Sequence, residues 1–465
     1  MESGAGKKRL ICILMAVLIL MGGIAAAYIW GIRGEEPSEP SEPTTAVPTT
    51  TEPPTTATET VPTEPETTGP QPIVETTRAT ITVTGDIIAH EGVTKAGFDG
   101  TDYNYDSYYA YIKDYVSRAD LAVANLETTL AGTENGREYS SYPRFNGPDA
   151  MVDALKNAGF DLLLTANNHS NDTGLLGLTR TQEVIADRGL LNLGTTRNAE
   201  DPDYRVLEVN GIRVGMVCYT YGKIDDETGQ KSVNGLKIRT EMTENINVFA
   251  YDKLDRFYEE MEQYIAAMKE EGAEAIVLLI HWGNEYKTKQ NSYQKTIAQK
   301  MCDLGVDVIA GGHPHVIQPV ELLSGSEDPD HKTLCVYSVG NALSNQRAAY
   351  MKLKTGHTED GMLFSFTFVK YSNGQVFLDS AEIVPTWVFV RDGNGTRSFD
   401  ILPLDRQVAD WQAAFGIGEA TLEEAQASYE RTIAIIGSGM EKAEAWFEQS
   451  RAQREEAFGD VESGR

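Results

Sequence analysis

From residue 79 onward, the sequence alternates between short apolar runs and longer segments with helical periodicity. The runs typical of buried strands lie at 79–83, 121–124, 161–165, 214–218, 275–280, 306–309 and 334–338. The segments typical of helices lie between them, at 149–158, 251–271 and 293–304. This alternation predicts an α/β fold whose sheet is largely parallel at its centre. Asn210-Gly211 and Asn373-Gly374 each separate two strand-like runs and predict hairpin turns, which add antiparallel strands.

The N-terminal part of the chain has the pattern of a membrane anchor. Residues 10–29 are almost wholly apolar and follow the basic residues Lys7, Lys8 and Arg9. About twenty such residues cross a bilayer as a helix, and the basic flank predicts that residues 1–9 stay in the cytoplasm. We therefore expect a signal anchor at 10–32 in a single-pass protein of the cell membrane, with the rest of the chain extracytoplasmic. Cleavage near Ala25-Ala26-Ala27 is the alternative, which the length of the apolar run disfavours.

The remaining chain divides by composition into three further segments. Residues 33–78 are dominated by Pro, Thr and Glu, and such a sequence buries too little apolar surface to fold, so we expect a disordered stalk. The folded domain is predicted to span 79–402, and a helical C-terminal appendage is predicted at 403–465. The features expected in the appendage are a helix at 407–415, a cap at Gly416 and a second helix from about Leu422.

Charge and cysteine content exclude two classes of function. The formal net charge is −29, which argues against a protein that binds duplex nucleic acid, because neutralising phosphates requires an excess of Lys and Arg. The chain has four cysteines with no C-x-x-C spacing. This pattern indicates neither a disulfide framework nor a zinc knuckle.

Several predicted strands end in side chains that bind metal ions in other proteins. The run at 306–309 leads into two glycines and the pair His313 and His315, and the run at 275–280 leads into His281. The other candidates at strand ends are Asp86, Glu127, Asn168 and His169. Because ligand sites of open α/β sheets form beyond the carboxyl ends of the strands, we expect these groups to converge.

This set of side chains predicts a particular kind of metal centre. Mixed nitrogen and oxygen ligands suit zinc, manganese or iron better than calcium or magnesium. Two such ions that share a bridging carboxylate hold a hydroxide nucleophile, and a histidine outside the ligand set can protonate the leaving group. The residues that follow the same strands and would support the centre are His90, Asp172, Glu285 and Asn341.

Each candidate taken alone also has a simpler explanation. Asp86 and Glu127 are residue types that cap or flank helix N-termini, and Asn168 is a common turn residue. His169 and His281 have the alternative of being ordinary hydrogen-bonded histidines. The metal hypothesis rests on the occurrence of all these groups at predicted strand ends.

The combination of these segments resembles the CapA-type poly-γ-glutamate capsule biosynthesis proteins over about residues 79–345. The segments that carry the resemblance are Gly85-Asp86, Asn125-Leu126-Glu127, Asn167-Asn168-His169 with Asp172 and Gly174, His281-Trp282-Gly283 with Glu285-Tyr286, Gly312-His313-Pro314-His315 with Gln318-Pro319, and Ser338-Val339-Gly340-Asn341. The resemblance implies a four-layer α/β/β/α fold that belongs to the calcineurin-like metallophosphoesterase superfamily.

The resemblance also implies a role for each candidate residue. Asp86 would be a metal ligand, Glu127 the bridging carboxylate and His169 the acid that assists the leaving group. The residues that would complete two sites for Mn, Fe or Zn are Asn168, His281, His313 and His315. The superfamily's first motif is Asp-x-His, and its third position is Ile88 in this chain. One metal site is therefore expected to be weaker or lost unless His90 compensates.

Three functions remain open at this point. The leading hypothesis is a membrane-anchored, extracytoplasmic component of poly-γ-glutamate synthesis or export with a metal-dependent hydrolase domain. Its expected partners are the anionic polymer and the synthase or export subunits, and no nucleic acid. The alternatives are a non-catalytic scaffold on the same fold, which binds polymer or synthase, and a general metal-dependent phosphoesterase.

Overall fold

The computed structural model describes residues 72–198, 201–393 and 396–458. The predicted cytoplasmic N-terminus, the predicted membrane helix and most of the predicted stalk lie outside these ranges. Within them, no helix combines the length and the apolar character that crossing a bilayer requires. The last residues of the predicted stalk belong to the first strand, which begins at Glu75.

The described chain forms two large sheets and one small sheet. In chain order, the strands are β1 (Glu75–Ile87), β2 (Leu121–Leu126), β3 (Leu162–Leu164), β4 (Leu191–Leu193), β5 (Tyr204–Val209), β6 (Ile212–Tyr221), β7 (Lys223–Ile224), β8 (Lys231–Val233), β9 (Leu236–Lys237), β10 (Val248–Phe249), β11 (Ala275–His281), β12 (Val308–Gly312), β13 (Val320–Ser324), β14 (Lys332–Val336), β15 (Asn341–Leu343), β16 (Asp360–Tyr371), β17 (Val376–Gly393) and β18 (Thr396–Pro403). The α-helices are α1 (Glu91–Ala96), α2 (Lys113–Val116), α3 (Ala150–Ala158), α4 (Gly174–Asp187), α5 (Leu254–Glu270), α6 (Ser292–Asp303), α7 (Trp411–Phe415) and α8 (Glu419–Phe458).

Parallel strands form the centre of both large sheets, as the alternation of the sequence predicts. The first sheet has the order β18-β17-β16-β1-β2-β3-β4 with β15 beside β1, and β1 to β4 are parallel. The second has the order β10-β6-β11-β12-β14-β13 with β5 on β6, and β10, β6, β11, β12 and β14 are parallel. Strands β7 to β9 form the small antiparallel sheet. Both predicted hairpins are confirmed, since β5 pairs with β6 and β16 with β17 in antiparallel register.

The two large sheets pack face to face between two layers of helices. Alternate residues of a central strand point to opposite faces, so Val123 of β2 lies in the core between the sheets while Ala122 lies under the outer helices. Leu155 of α3 and Ile185 of α4 cover the first sheet. Helices α5 and α6 cover the second sheet with their apolar faces. The order of layers is therefore α/β/β/α, and burial on both faces explains the continuous apolar runs.

The C-terminal helices differ from the sequence-based expectation in their bounds. Helix α7 begins at Trp411 rather than at 407, because the side chain of Asp410 accepts a hydrogen bond from the N–H of Ala413 at 3.0 Å and caps the helix there. Gly416 ends it in the left-handed conformation with φ 59°, as predicted. Helix α8 begins at 419, and its residues Met440 and Phe447 belong to the core between the sheets.

A carboxylate at the amino-terminal edge of the second sheet makes stability depend on pH. Burial raises the pKa of Asp307 to about 6, against the opposing effect of the Ile276 N–H that its Oδ2 accepts at 2.7 Å. Because the folded protein holds this proton more tightly than the unfolded chain does, stability is lost as pH rises from about 4 to about 6. We expect Asp307→Asn to raise the free energy of unfolding by about 1–2 kcal/mol at pH 7, with little gain at pH 4.

The measurement is urea unfolding of the wild type and the variant across this pH range. Asp187→Asn removes one charge from an exposed position at the end of α4 and is the matched control. If Asp307→Asn raises the free energy of unfolding equally at all pH values, the raised pKa of Asp307 is not the cause.

Candidate metal centre

The predicted ligands meet at the carboxyl ends of the parallel strands of the two large sheets. Asp86 lies at the end of β1, and His281 is the last residue of β11. The other candidates lie in the loops that directly follow β2, β3 and β12. The residues that the structure brings together at this edge, all buried, are Asp86, Glu127, Asn168, His169, His281, His313 and His315.

Glu127 occupies the middle of this group. Its carboxylate is fully buried, and neither oxygen has a hydrogen-bond partner. Its Oε1 lies 3.7 Å from Nε2 of His281, 3.9 Å from Nε2 of His169 and 3.9 Å from Nε2 of His315. Ligand atoms that share one ion at about 2.1 Å lie about 3–4 Å apart, so the separation of Glu127 from His281 and that from His315 each fit a pair of ligands on a shared cation.

Neighbouring acceptors determine which nitrogen of two histidines carries the proton. Nδ1 of His169 lies 2.7 Å from Oδ2 of Asp172, and Nδ1 of His315 lies 3.1 Å from both Asp86 Oδ2 and Asn341 Oδ1. Because these oxygens accept, we infer that Nδ1 is protonated in both rings. The lone pairs of the two Nε2 atoms then face the carboxylate of Glu127. A buried carboxylate that faces other hydrogen-bond acceptors is stable only when a cation or a proton lies between them.

Burial also shifts the pKa values of the buried groups in this cluster. Burial, with Asp86 and Glu285 nearby, raises the pKa of Glu127 well above its usual value. Burial, with neighbouring imidazoles, lowers the pKa of His281 and His313 well below the usual value. Burial also acts to lower the pKa of His315, but the hydrogen bonds of its ring to Asp86 and Asn341 outweigh this effect and raise it. A metal-free centre therefore holds neutral His281 and His313 and a proton on Glu127, and an incoming metal ion would displace that proton.

The ligand atoms form two adjacent sets. Those of Asp86, Glu127 and His281 lie within 4.8 Å of one another, and those of Glu285, His313 and His315 do the same. Glu285 is exposed, unlike the others. The side chain of Asn168 contacts the first set, with its Oδ1 2.9 Å from Nε2 of His281. Two sets with nitrogen and oxygen donors fit the predicted pair of manganese, iron or zinc ions.

The structure argues against His90 as a substitute ligand. Its Nδ1 accepts a hydrogen bond from the backbone N–H of Asn345 at 3.1 Å. The neutral ring must therefore carry its proton on Nε2, which leaves no lone pair for a metal ion. Ile88, at the position of the superfamily's histidine, is buried in the core under the outer helices. The carboxylate of Glu285 is the additional ligand that the structure offers instead.

Backbone conformation at the His-Pro-His segment positions the two imidazoles. His313 has φ 92° and His315 has φ 56°, both in the left-handed region that residues other than glycine rarely adopt. Such strained conformations cluster at functional sites. Gly312 precedes them because a Cβ there would lie 3.0 Å from Oδ1 of Asp86 and 3.4 Å from Nδ1 of His281. A side chain at this position would crowd the ligands.

Three residues that hold the ligands in place are absent from the sequence-based set. Nδ2 of Asn125 donates to Oδ1 of Asp86 at 2.7 Å, and Nδ2 of Asn167 donates to Oδ1 of Asn125 at 3.2 Å. The sequence offers a signal for both asparagines, because they lie at strand ends beside predicted ligands. Phe145 carries no such signal, although its N–H donates to Asp172 at 2.6 Å and its ring packs against His169 at 4.6 Å between centroids.

Comparison with known proteins is consistent with this arrangement of motifs. The model of the family described as bacterial capsule synthesis protein PGA_cap matches residues 80–346. The chain belongs to this family. Every candidate ligand lies inside the matched range, and helix α8 lies outside it. The resemblance seen in the sequence is therefore confirmed.

Two curated relatives carry related names. The capsule biosynthesis protein CapA of Bacillus anthracis is 28% identical over 278 residues, which are 58% of this chain and 61% of that protein. The PGA biosynthesis protein CapA of Bacillus subtilis (strain 168) is 26% identical over 245 residues, which are 52% of this chain and 57% of that protein. The matches thus span about three fifths of the length of these relatives.

Solved structures are more distant. The structure of a Staphylococcus aureus protein described as a 5′-nucleotidase, in complex with alpha-ketoglutarate, is 14% identical with a TM-score of 0.38. The superposition covers 76% of this chain and 58% of that chain. A likeness at this level carries no conclusion about activity.

Proposed function

We propose that this domain is a metal-dependent hydrolase of the calcineurin-like metallophosphoesterase type that acts in the synthesis or export of a capsule-type anionic polymer such as poly-γ-glutamate. Membership of the capsule synthesis family and the names of the two CapA relatives support the pathway. The N-terminal apolar run supports a membrane anchor with the domain extracytoplasmic. Synthase or export subunits and the polymer itself are the proposed partners.

The observation that carries the proposal is the buried carboxylate of Glu127, which has no hydrogen-bond donor and faces three imidazole nitrogens at 3.7–3.9 Å. Divalent ions bound there would supply a hydroxide nucleophile and stabilise charge on the attacked and departing oxygens. The residues that would hold them are Asp86, Glu127, Asn168, His281, His313 and His315, with Glu285 beside the last two.

His169 and Asp172 would handle the proton of the reaction. Asp172 accepts from Nδ1 of His169 and from the backbone N–H of Phe145, so the imidazole is held in one orientation. Nε2 of His169 then points to the centre. In the doubly protonated ring, whose charge Asp172 would stabilise, this nitrogen can deliver a proton to the leaving group. Asp172 positions this group and does not touch the substrate.

Replacing the proton donor should reduce turnover and leave the metal content intact. We expect His169→Asn to lower turnover about 10²–10⁴-fold and Asp172→Asn to lower it about 10–100-fold, since the latter loses only the orientation of the ring. Hydrolysis of a phosphodiester and metal content by mass spectrometry are measured on the same samples. Loss of metal in proportion to activity would contradict the proposed role of His169.

A substrate assay separates the polymer hypothesis from a general phosphoesterase. The metal-loaded protein is incubated with poly-γ-glutamate and, separately, with simple phosphomonoesters and phosphodiesters. Shortening of the polymer that disappears in His169→Asn supports the proposed pathway. Turnover of the phosphate esters alone favours a general phosphoesterase, and no turnover of any substrate by a metal-loaded protein favours a scaffold.

A further inference from the structure

His90 occupies a defined place beside the metal centre without belonging to the ligand set. It lies between β1 and α1, and its ring packs edge-on against Phe145 with 5.5 Å between centroids. Phe145 in turn packs edge-on against His169 at 4.6 Å. One aromatic ring thus separates His90 from the residue that would protonate the leaving group.

The backbone N–H of Asn345 fixes the tautomer of His90. An N–H group is always a donor, so Nδ1 of His90, at 3.1 Å, must be the acceptor. The proton of the neutral ring is therefore on Nε2. No residue in the described ranges accepts a hydrogen bond from this Nε2–H, and the side chain is partly exposed. Protonating Nδ1 would break the bond to Asn345.

Many of the described groups that line the centre are acceptors. They include the buried carboxylates of Asp86 and Glu127 and the inward-facing Nε2 atoms of His169 and His315. An anionic oxygen of a substrate needs preorganised donors in addition to metal ions. Burial, together with His315 and His169, lowers the pKa of His90 to about 3, so its ring stays neutral at physiological pH.

We propose that His90 is a substrate-binding residue whose Nε2–H donates a hydrogen bond to an anionic oxygen of the substrate, and that it is not a metal ligand. This inference rests on the proposed hydrolase function for its biological meaning. The chemical class of the bound group is a phosphoryl-type oxyanion. Orthophosphate is accordingly the probe.

Two readouts other than activity test the inference. Long-range ¹⁵N–¹H NMR of the histidine-labelled full chain, with assignment from His90→Gln, is expected to find Nε2 protonated and Nδ1 unprotonated, before and after metal is added. Metal stoichiometry is expected to be unchanged in His90→Phe, which keeps the ring packing against Phe145. Orthophosphate affinity of the metal-loaded variant is expected to fall about 10–100-fold, as for the loss of a hydrogen bond to a charged group.

Rescue and control variants separate this role from a structural one. His90→Gln, which retains an acceptor and an N–H donor, should recover most of the orthophosphate affinity. The control is His331→Phe, which removes a histidine whose Nε2 lies 3.1 Å from the Val306 carbonyl oxygen. This variant should leave orthophosphate affinity and metal stoichiometry unchanged. Loss of metal from His90→Phe, deprotonation of Nε2 on metal binding, or unchanged orthophosphate affinity would overturn the inference.

The same data distinguish this inference from the proposed function. If the metal-loaded wild type binds orthophosphate through His90 but hydrolyses no ester or polymer, the hydrolase proposal fails and the role of His90 stands. If the wild type turns over substrate with unchanged kinetics in His90→Phe, the role of His90 fails and the hydrolase proposal stands. A wild type that binds metal but no orthophosphate also overturns the role of His90.

Discussion

The Glu127→Gln variant is expected to lose tight metal binding and yet to be more stable than the wild type when both proteins are free of metal. The carboxylate lies among acceptors with no donor of its own, so its charge is favourable only when a cation is bound. Glutamine keeps the shape, removes the charge and offers an N–H to the inward lone pairs. We expect metal affinity to fall by at least about 100-fold, because a ligand contributes more than the residues behind it.

The gain in metal-free stability should depend on pH. Burial raises the pKa of Glu127 in the folded state, so the metal-free wild type loses stability as pH rises above the unfolded value of about 4.3. The variant lacks this loss and should be about 2 kcal/mol more stable at pH 7, with a smaller difference near pH 4.

Chemical unfolding in chelator and titration with manganese or zinc measure the two effects. Glu183→Gln, on the exposed side of α4, makes the same change of charge and should alter neither metal affinity nor metal-free stability. A destabilised metal-free Glu127→Gln would indicate that the carboxylate has a donor.

The second large effect is expected at the ion pair that anchors helix α8. Asp360 is buried and accepts from Arg431 Nε at 2.9 Å, from Arg431 Nη2 at 2.7 Å and from Ser428 Oγ at 2.6 Å. Arg431→Met leaves this carboxylate without its hydrogen-bonded counter-charge. We expect a loss of about 3–5 kcal/mol in the free energy of unfolding, the usual result of breaking a buried pair.

The double variant Asp360→Asn with Arg431→Met tests the cause, because it removes both charges and should recover most of the stability. Arg239→Met replaces an exposed arginine and serves as the control. If Arg431→Met alone costs less than about 1 kcal/mol, α8 is not held by this pair.

The sequence predicts the parallel centre of the fold and the convergence of the ligands for one physical reason. Residues that follow parallel strands lie at the same edge of a sheet, so Asp86, Glu127 and His281 come together whatever the exact bounds of the strands. The prediction fails where structure depends on contacts distant in sequence. Phe145 and Arg431 are an ordinary aromatic residue and an ordinary arginine until the fold places them beside His169 and Asp360.

Local conformation is the other part that the sequence does not reveal. The left-handed backbone of His313 and His315 is maintained by surrounding contacts, such as the bonds of His315 to Asp86 and Asn341. The tautomer of His90 depends on one backbone N–H that lies 255 positions further along the chain. For this reason the sequence left His90 open as a metal ligand, and only the geometry assigns its proton.

The most direct test of the metal centre is calorimetric titration of the metal-free full chain with manganese or zinc near pH 7, in buffers of different ionisation enthalpy. We expect that about two ions bind per chain and that binding releases the proton of Glu127, so fewer protons are released per ion in Glu127→Gln than in the wild type. Metal that binds without proton release, or equally well to Glu127→Gln, would contradict the central claim. A wild type that binds no metal would also contradict the central claim and would favour the non-catalytic scaffold.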